Sequence, residues 1–405
     1  MRRIKQALAV ATATAAAVAA SPARAAVLTE SGDFVAYVES LRNLAFDSGS
    51  GLYVAPTPQD RAAFALLAAD LWTASTPQHV AALDLAADAL GYEVVQFTHN
   101  ANNAVYLGLR EQLVNNQQQT GWGSYFVRQG PSRDAMVQVP HPINDTRTWE
   151  VGAVALLESD ARGFLLAGAH RNANGLGTAD VADPIGSIFQ VVHEQWNGPA
   201  GETVAWQVHG FNLANHIPPE RVPGFPLDTD AVISNGTGAV SPEIVALDAA
   251  LEAAGGLGWV SYAYNTLDPT DALNVLVNGG VDGETFGPPG GLGATTNAQQ
   301  IYSTGIGGTF VHIELGQTIR FNPDGASKRL LAGQAIAQSI SDTTEVIPEP
   351  AGPAPAAGRR RRHDEPPPAA PLTPPLAHPP RPPTAPLIAA RTRGGTRPAS
   401  CSSAA

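Results

Sequence analysis

Between residues 60 and 74 the apolar side chains of Phe64, Leu67, Ala68 and Leu71 recur at helical spacing, and the pattern repeats over 78–90 after the break at Ser75-Thr76-Pro77. Both segments are predicted to be helices. Behind Gly91 the chain shortens into β-rich runs at 92–98, 104–109 and 124–128, separated by Asn-rich or Gly-containing turns. From Met136 onward short buried-strand runs alternate with helical ones. Strands are expected at 136–139, 163–167, 203–208, 231–234, 259–264 and 309–315, and helices at 148–159, 188–196, 242–253 and 326–340. This alternation predicts an α/β fold over 136–345, a mostly parallel sheet with helices on both faces, preceded by a smaller mixed α+β region over 26–135.

The two ends read differently. Residues 1–25 have a basic start, an apolar run over 7–20 and the small residues of Ala23-Arg24-Ala25 before Ala26, the pattern of a secretory signal peptide. Export to the periplasm or the exterior is therefore expected. No other segment approaches the ~20 apolar residues of a membrane-spanning helix, so no stable membrane span is expected. Of the 55 residues from Ala351 onward 14 are Pro, too many for a packed core, and 346–405 is read as a Pro/Arg-rich disordered tail. Val346-Ile347-Pro348-Glu349-Pro350, followed by Arg359 to Arg362, resembles the PEP-CTERM sorting signal, in which a Pro-Glu-Pro motif, an apolar helix and an Arg cluster follow in order. Here the eight residues of the spacer, 351–358, include two prolines and cannot form that helix, which implies a decayed or frame-shifted signal.

Charge narrows the partners. Residues 26–350 hold 12 basic and 34 acidic side chains, a net −22 that repels phosphate backbones, so no nucleic-acid partner is expected. The single cysteine, Cys401, excludes an intrachain disulfide and a Cys-based zinc finger. A Ser-His-Asp hydrolase has no Gly-x-Ser-x-Gly elbow to stand on.

The candidate chemistry lies in the histidines, six of whose ten fall between 141 and 312: His141, His170, His193, His209, His216 and His312. His141, His170 and His209 each stand beside the end of a predicted strand, where open α/β sheets bind ligands. Two imidazoles and one carboxylate, with a fourth position open, form the ligand set of catalytic zinc. His141, Glu150 and His209 fit it, with Asp145 the rival carboxylate and an N-terminal helix cap its alternative role. Glu314 sits in the apolar run Phe310-Val311-His312-Ile313-Glu314-Leu315, where a carboxylate is costly unless paired, with Arg320 for instance, or used as a base. Arg171 is a candidate clamp for a substrate carboxylate, and His170 a candidate to polarise a carbonyl or to support a ligand. Asp180 and Asp183 follow without an assigned role. His193-Glu194 reads as a solvated helix face, His216 as a loop residue, and the Gly-rich stretch 278–297 as a candidate lid.

The segment from His141 to Glu150 resembles the first motif of phage and bacterial poly-γ-glutamate hydrolases, with Pro142 and Ile143 in place of the usual Gly-Gly. Gln207-Val208-His209-Gly210-Phe211 looks like their His-Gly motif, and Val311 to Leu315 with Arg320 like their late Glu-containing stretch. The same order of His, acid, His and late Glu is shared in outline by zinc carboxypeptidases, N-formylglutamate amidohydrolases and zinc-dependent N-acetylmuramoyl-L-alanine amidases. The resemblance, over roughly 136–323, implies a zinc-binding α/β hydrolase of amide bonds in peptide-like or N-acyl amino acid substrates. It makes His141, Glu150 and His209 the ligands and Glu314 the general base or acid. A non-catalytic secreted envelope or matrix protein and a metal-dependent phosphoesterase stay open as alternatives, as does the oligomeric state.

Overall fold

The computed structural model describes residues 27–183, 186–212, 230–237, 241–255, 261–263, 292, 294, 296–321 and 324–348. The expected signal segment, His216, most of the candidate lid and the tail beyond residue 348 lie outside them. Among the described residues no helix is long and apolar enough to cross a membrane.

The chain opens with β1 (Leu28–Gly32) and α1 (Phe34–Leu44), neither of which was expected from the pattern, followed by α2 (Pro58–Thr73) and α3 (Pro77–Asp88). Thr57 starts α2 in a capping box: its hydroxyl accepts from the Asp60 N–H, the Asp60 carboxylate accepts from the Thr57 N–H at 2.8 Å, and Pro58 takes the first helical position. Phe64, Leu67, Ala68 and Leu71 are its buried face, in the predicted phase. Then come β2 (Tyr92–His99), β3 (Val105–Glu111), β4 (Ser124–Arg128), β5 (Ser132–Val139), α4 (Thr148–Ser159), β6 (Ala161–Leu166), α5 (Ile188–Asn197), β7 (Val204–Gly210), β8 (Ala231–Ser234), α6 (Pro242–Gly255) and β9 (Ser261–Ala263). The last described elements are α7 (Ala298–Gly305), β10 (Phe310–Leu315), α8 (Gln317–Phe321), α9 (Gly325–Thr343) and β11 (Val346–Ile347).

The described strands join one sheet in the order β1-β2-β3-β4-β6-β5-β7-β10-β8-β9, with β11 paired to the start of β5. The central strands β6, β5, β7 and β10 run parallel, and β4 and β8 flank them antiparallel. The change of texture at residue 135 is not a break in the sheet, because Tyr125 of β4 pairs with Leu165 of β6. Helices cover both faces. Phe34, Leu156, Leu247 and Ile336, from α1, α4, α6 and α9, pack with Val137, Trp206, Val208 and Val311 on one side. Phe64, Leu83, Phe189 and Trp196, from α2, α3 and α5, pack with Met136, Leu165, Ala205 and Phe310 on the other.

Side chains alternate across a strand, so every second residue of the central strands faces the α5 side. The strands start apolar there, at Met136, Ala205 and Phe310. Two residues on, Gln138, Gln207 and His312 form one cross-strand row, and two further on His209 is paired with Glu314. The inner face thus turns polar toward the carboxyl ends of the parallel strands.

Candidate metal centre and active site

His141 follows β5 through Pro140, and the chain turns at once: the Asp145 N–H donates to the His141 carbonyl at 2.9 Å. That turn folds the Asp145 carboxylate back onto the histidines. Its Oδ2 lies 3.2 Å from His141 Nδ1 and 3.3 Å from His209 Nδ1, while the two Nδ1 atoms are 3.1 Å apart. Donors bonded at ~2.0–2.1 Å to one tetrahedral zinc stand roughly 3.3 Å from each other, so this triangle has the dimensions of three of its vertices. His141, Asp145 and His209, all buried, form a group that could hold a metal ion. The donor set, two imidazole nitrogens and a carboxylate, fits zinc and leaves one vertex open.

Glu150 is elsewhere. Its Oε2 accepts from Arg329 Nε at 2.7 Å and lies 3.6 Å from Arg147 Nη1, so it faces α9 rather than the histidines. Arg147 precedes α4 in the left-handed region at φ 74° with no side-chain cap, and the helix that follows presents Glu150 to Arg329 of α9. The capping role considered for Asp145 is likewise absent: only its backbone carbonyl engages α4, accepting from the Thr148 N–H and hydroxyl. Four residues separate the two acids, and the turn decides between them.

Behind the triangle, Asp180 Oδ1 stands 2.7 Å from His141 Nε2 and its Oδ2 lies 3.3 Å from Arg171 Nε. A carboxylate on the far ring nitrogen fixes the orientation of a ligand histidine. Burial works against a charge on His141, but Asp145 and Asp180 outweigh it and raise its pKa. Burial opposes the Asp145 charge too, yet His141 and His209 hold the carboxyl well below the usual carboxylate range. His209 goes the other way, pushed down to about 4 by its burial despite Asp145. Arg171 Nη2 lies 2.6 and 3.0 Å from the two His141 ring nitrogens, which places a cation at the rim of the cluster.

Glu314 and His312 line the same cavity, about 620 Å³ in volume, with Arg171, Asp183 and the triangle. Glu314 Oε2 is buried and has no hydrogen-bond partner among the described residues, and Oε1 is 3.5 Å from His312 Nε2. Burial, reinforced by the Asp145 charge, pushes the Glu314 carboxyl well above its ordinary value. Arg320 is not its ion-pair partner. Its guanidinium donates to the carbonyls of Leu315, Thr146 and Phe211 at 3.0, 3.1 and 2.8 Å, tying three cavity segments together. Gly210 leaves room for it, since a Cβ there would fall 2.5 Å from Arg320 Cζ.

His170 is not among the residues lining the cavity; its Nδ1 accepts from the Asn172 N–H at 2.9 Å and shapes the turn. His193 is fully buried rather than solvated, because its side of α5 packs on the polar row of the sheet, where Nδ1 meets Gln138 Nε2 at 2.7 Å. Burial pushes its pKa down to about 3. Below pH ~6.5 the unfolded chain therefore takes up a proton that the native state refuses. The contribution of His193 to stability is expected to be constant above pH 7 and to fall as pH drops from about 6.5 toward 3, by up to ~1.4 kcal/mol per pH unit. Urea midpoints of metal-free wild type and His193→Gln at pH 7, 5.5 and 4.5 check this: the stability advantage of wild type over the variant should shrink as pH falls. A difference between wild type and variant that does not change with pH would contradict a neutral, buried His193. The wild-type series alone also carries the opposite trend of Glu314, whose raised carboxyl gains stability as pH falls.

The amide ladder of Gln138, Gln207, Gln299 and Asn297 was not singled out from the sequence. Its signal was there: in runs otherwise apolar, polar residues recur at every second position, Gln207 and His209 in one strand, His312 and Glu314 in another.

No protein-family model matches the chain, and no curated protein sequence matches it. Among solved structures it is similar to a putative carboxypeptidase A from Shewanella denitrificans OS-217, at 13% identity over 55% of this chain and 62% of that one, with a TM-score of 0.30. It is also similar to a metallo-carboxypeptidase from Burkholderia cenocepacia, at 12% identity over 66% of this chain and 68% of that one, with a TM-score of 0.32. The chain spans less than two thirds of the Shewanella structure.

Proposed function

We propose that the protein is an exported zinc-dependent hydrolase that cleaves an amide bond in peptide-like or N-acyl amino acid substrates. One observation carries the reading: His141, Asp145 and His209 converge with zinc-like spacing beside a buried, unpartnered Glu314 oxygen on the wall of one cavity. Export rests on the N-terminal segment alone. When bound, zinc supplies a Lewis acid for the scissile carbonyl and lowers the pKa of a coordinated water to ~7.

The chain's own groups do the rest. Asp180 and Gln207 hold the far nitrogens of His141 and His209 and so aim the near ones. Glu314 takes the proton of the attacking water at Oε2 and returns it to the leaving amine, work for which a pKa raised above the ordinary carboxylate value suits it. Arg171, half-exposed at the rim, offers its fork to a substrate carboxylate. The test is zinc content of the purified protein together with hydrolysis of a panel of N-acyl amino acids and short peptides. About one zinc per chain and cleavage of at least one class are expected, and neither metal nor turnover would overturn the reading. Arg171→Ala is expected mainly to raise KM for substrates with a free carboxylate. Equal losses on amidated substrates would remove it from the clamp role.

A further inference from the structure

We infer that Gln207 is a positioning residue that sets the tautomer of His209, and that a buried ladder of amides locks Gln207 in the one orientation able to do so. The inference rests on the metal reading of the site. His209 turns Nδ1 toward His141 and Asp145, and its Nε2 lies 2.7 Å from Gln207 Oε1. A glutamine can present either its oxygen or its NH₂ to a ring nitrogen, so its other partners must decide which.

Three anchors decide it, each a group that can play only one part. The Val181 carbonyl can only accept, and it receives Gln299 Nε2 at 2.9 Å. The Glu194 carboxylate accepts Gln190 Nε2 at 2.9 Å, which turns Gln190 Oε1 to receive Gln299 Nε2 at 2.7 Å. The backbone N–H groups of Gln299 and Gln300 can only donate, and both donate to Asn297 Oδ1, at 3.0 and 3.1 Å. From the first two, Gln299 must direct Oε1 at Gln207, whose Nε2 donates to it at 3.0 Å and to Gln138 Oε1 at 2.9 Å. From the third, Asn297 must direct Nδ2 at Gln207, whose Oε1 accepts it at 2.5 Å. Both routes give the same answer: Gln207 shows His209 an oxygen. His209 must then carry its proton on Nε2 and keep a lone pair on Nδ1, the form a metal requires.

The ladder ends at His193, where Gln138 Nε2 meets Nδ1 at 2.7 Å and Nε2 meets Ser303 Oγ at 3.1 Å. Gln138, Gln207, Gln299, His193 and Ser303 have no exposed surface, so water cannot substitute for a missing partner. Without the ladder both tautomers of His209 would be populated, and the apparent affinity would fall with the fraction competent to bind.

The test uses metal-free, ¹⁵N-histidine-labelled protein, whose two-bond proton–nitrogen correlations report the tautomer, and zinc affinity by competition with a chromophoric chelator. Wild type should show His209 wholly protonated on Nε2. Gln207→Met, which keeps the volume and removes the acceptor, should give mixed tautomers and bind zinc about 10–100-fold more weakly, the tautomer fraction accounting for a few-fold and the lost hold on the ring's orientation and basicity for the rest. Gln299→Met, which touches no ligand, should act in the same direction and stands in if the first variant does not fold. An unchanged tautomer and affinity in either folded variant would overturn the proposal. A tautomer that shifts as stated in a protein that binds no zinc in any form would instead overturn the metal reading and leave the hold of Gln207 on His209 in place.

Discussion

Asp145→Asn is expected to weaken zinc binding by more than the ~10–100-fold that loss of an outer partner costs, and His141→Ala and His209→Ala should do the same, whereas Glu150→Gln should leave affinity near wild type. The three sensitive residues supply the converging atoms, and an asparagine at 145 keeps the shape while removing the negative charge that balances the ion. Glu150 offers the metal nothing, since its carboxylate is engaged with Arg329 and Arg147. Its loss should appear instead as a stability change on the order of 1 kcal/mol, because the amide oxygen of glutamine still accepts from Arg329. Chelator competition and urea midpoints on the four variants separate the two effects. Zinc affinity falling in Glu150→Gln and holding in Asp145→Asn would return the ligand role to Glu150.

Glu314→Gln should lower amide hydrolysis by ~10²–10⁴-fold while zinc content and fold survive. The side chain keeps its length and one oxygen but loses its basicity. The proposed duty of Glu314 is proton transfer, and Oε2, which has no hydrogen-bond partner among the described residues, is the atom that would perform it. The substitution also removes a buried acid whose ionisation is costly, so a small gain in stability is compatible with the loss of activity. Single-turnover rates and metal analysis on the same preparation check both halves. Zinc lost together with activity would move Glu314 into the coordination shell, and full activity in the variant would end its role as base.

Much of the sheet was legible because its central strands obey simple rules. The runs 136–139, 163–167 and 309–315 are short, apolar and bounded by turns or helices, and each is found as a strand within a residue or a few. The approach of the two histidines was legible in part for the same reason: His141 follows one predicted strand and His209 lies near the end of another, and the sheet makes those strands parallel neighbours. Glu150 misled because periodicity says that residue 150 begins a helix but not which way that helix points, and here it presents Glu150 to Arg329 of α9. His193 misled in a related way, since a polar side chain on a helix reads as solvated unless the facing sheet is known to be polar in that row. α1 and β1 escaped because their burial depends on β2, β4 and α4, contacts distant in sequence that no local window contains.

The pairing of His209 with Glu314 across β7 and β10 has a consequence for how such a protein can change. A slip of one residue between these strands would send one of the two to the opposite side of the sheet, so hydrogen-bond register and reactivity are a single inherited property. Much of the connection between the strands shares that restraint, since β8 pairs with β10, α6 packs on the sheet, and Asn297 and Gln299 hold Gln207. Substitutions on the cavity wall outside the sheet and the amide ladder, at Asp183 or Phe321 for instance, would alter what a substrate meets without moving His209 relative to Glu314, because a neighbouring rung of backbone holds the two together. The lining of the cavity can therefore drift in sequence while the proposed ligand and base stay fixed to each other by the backbone ladder.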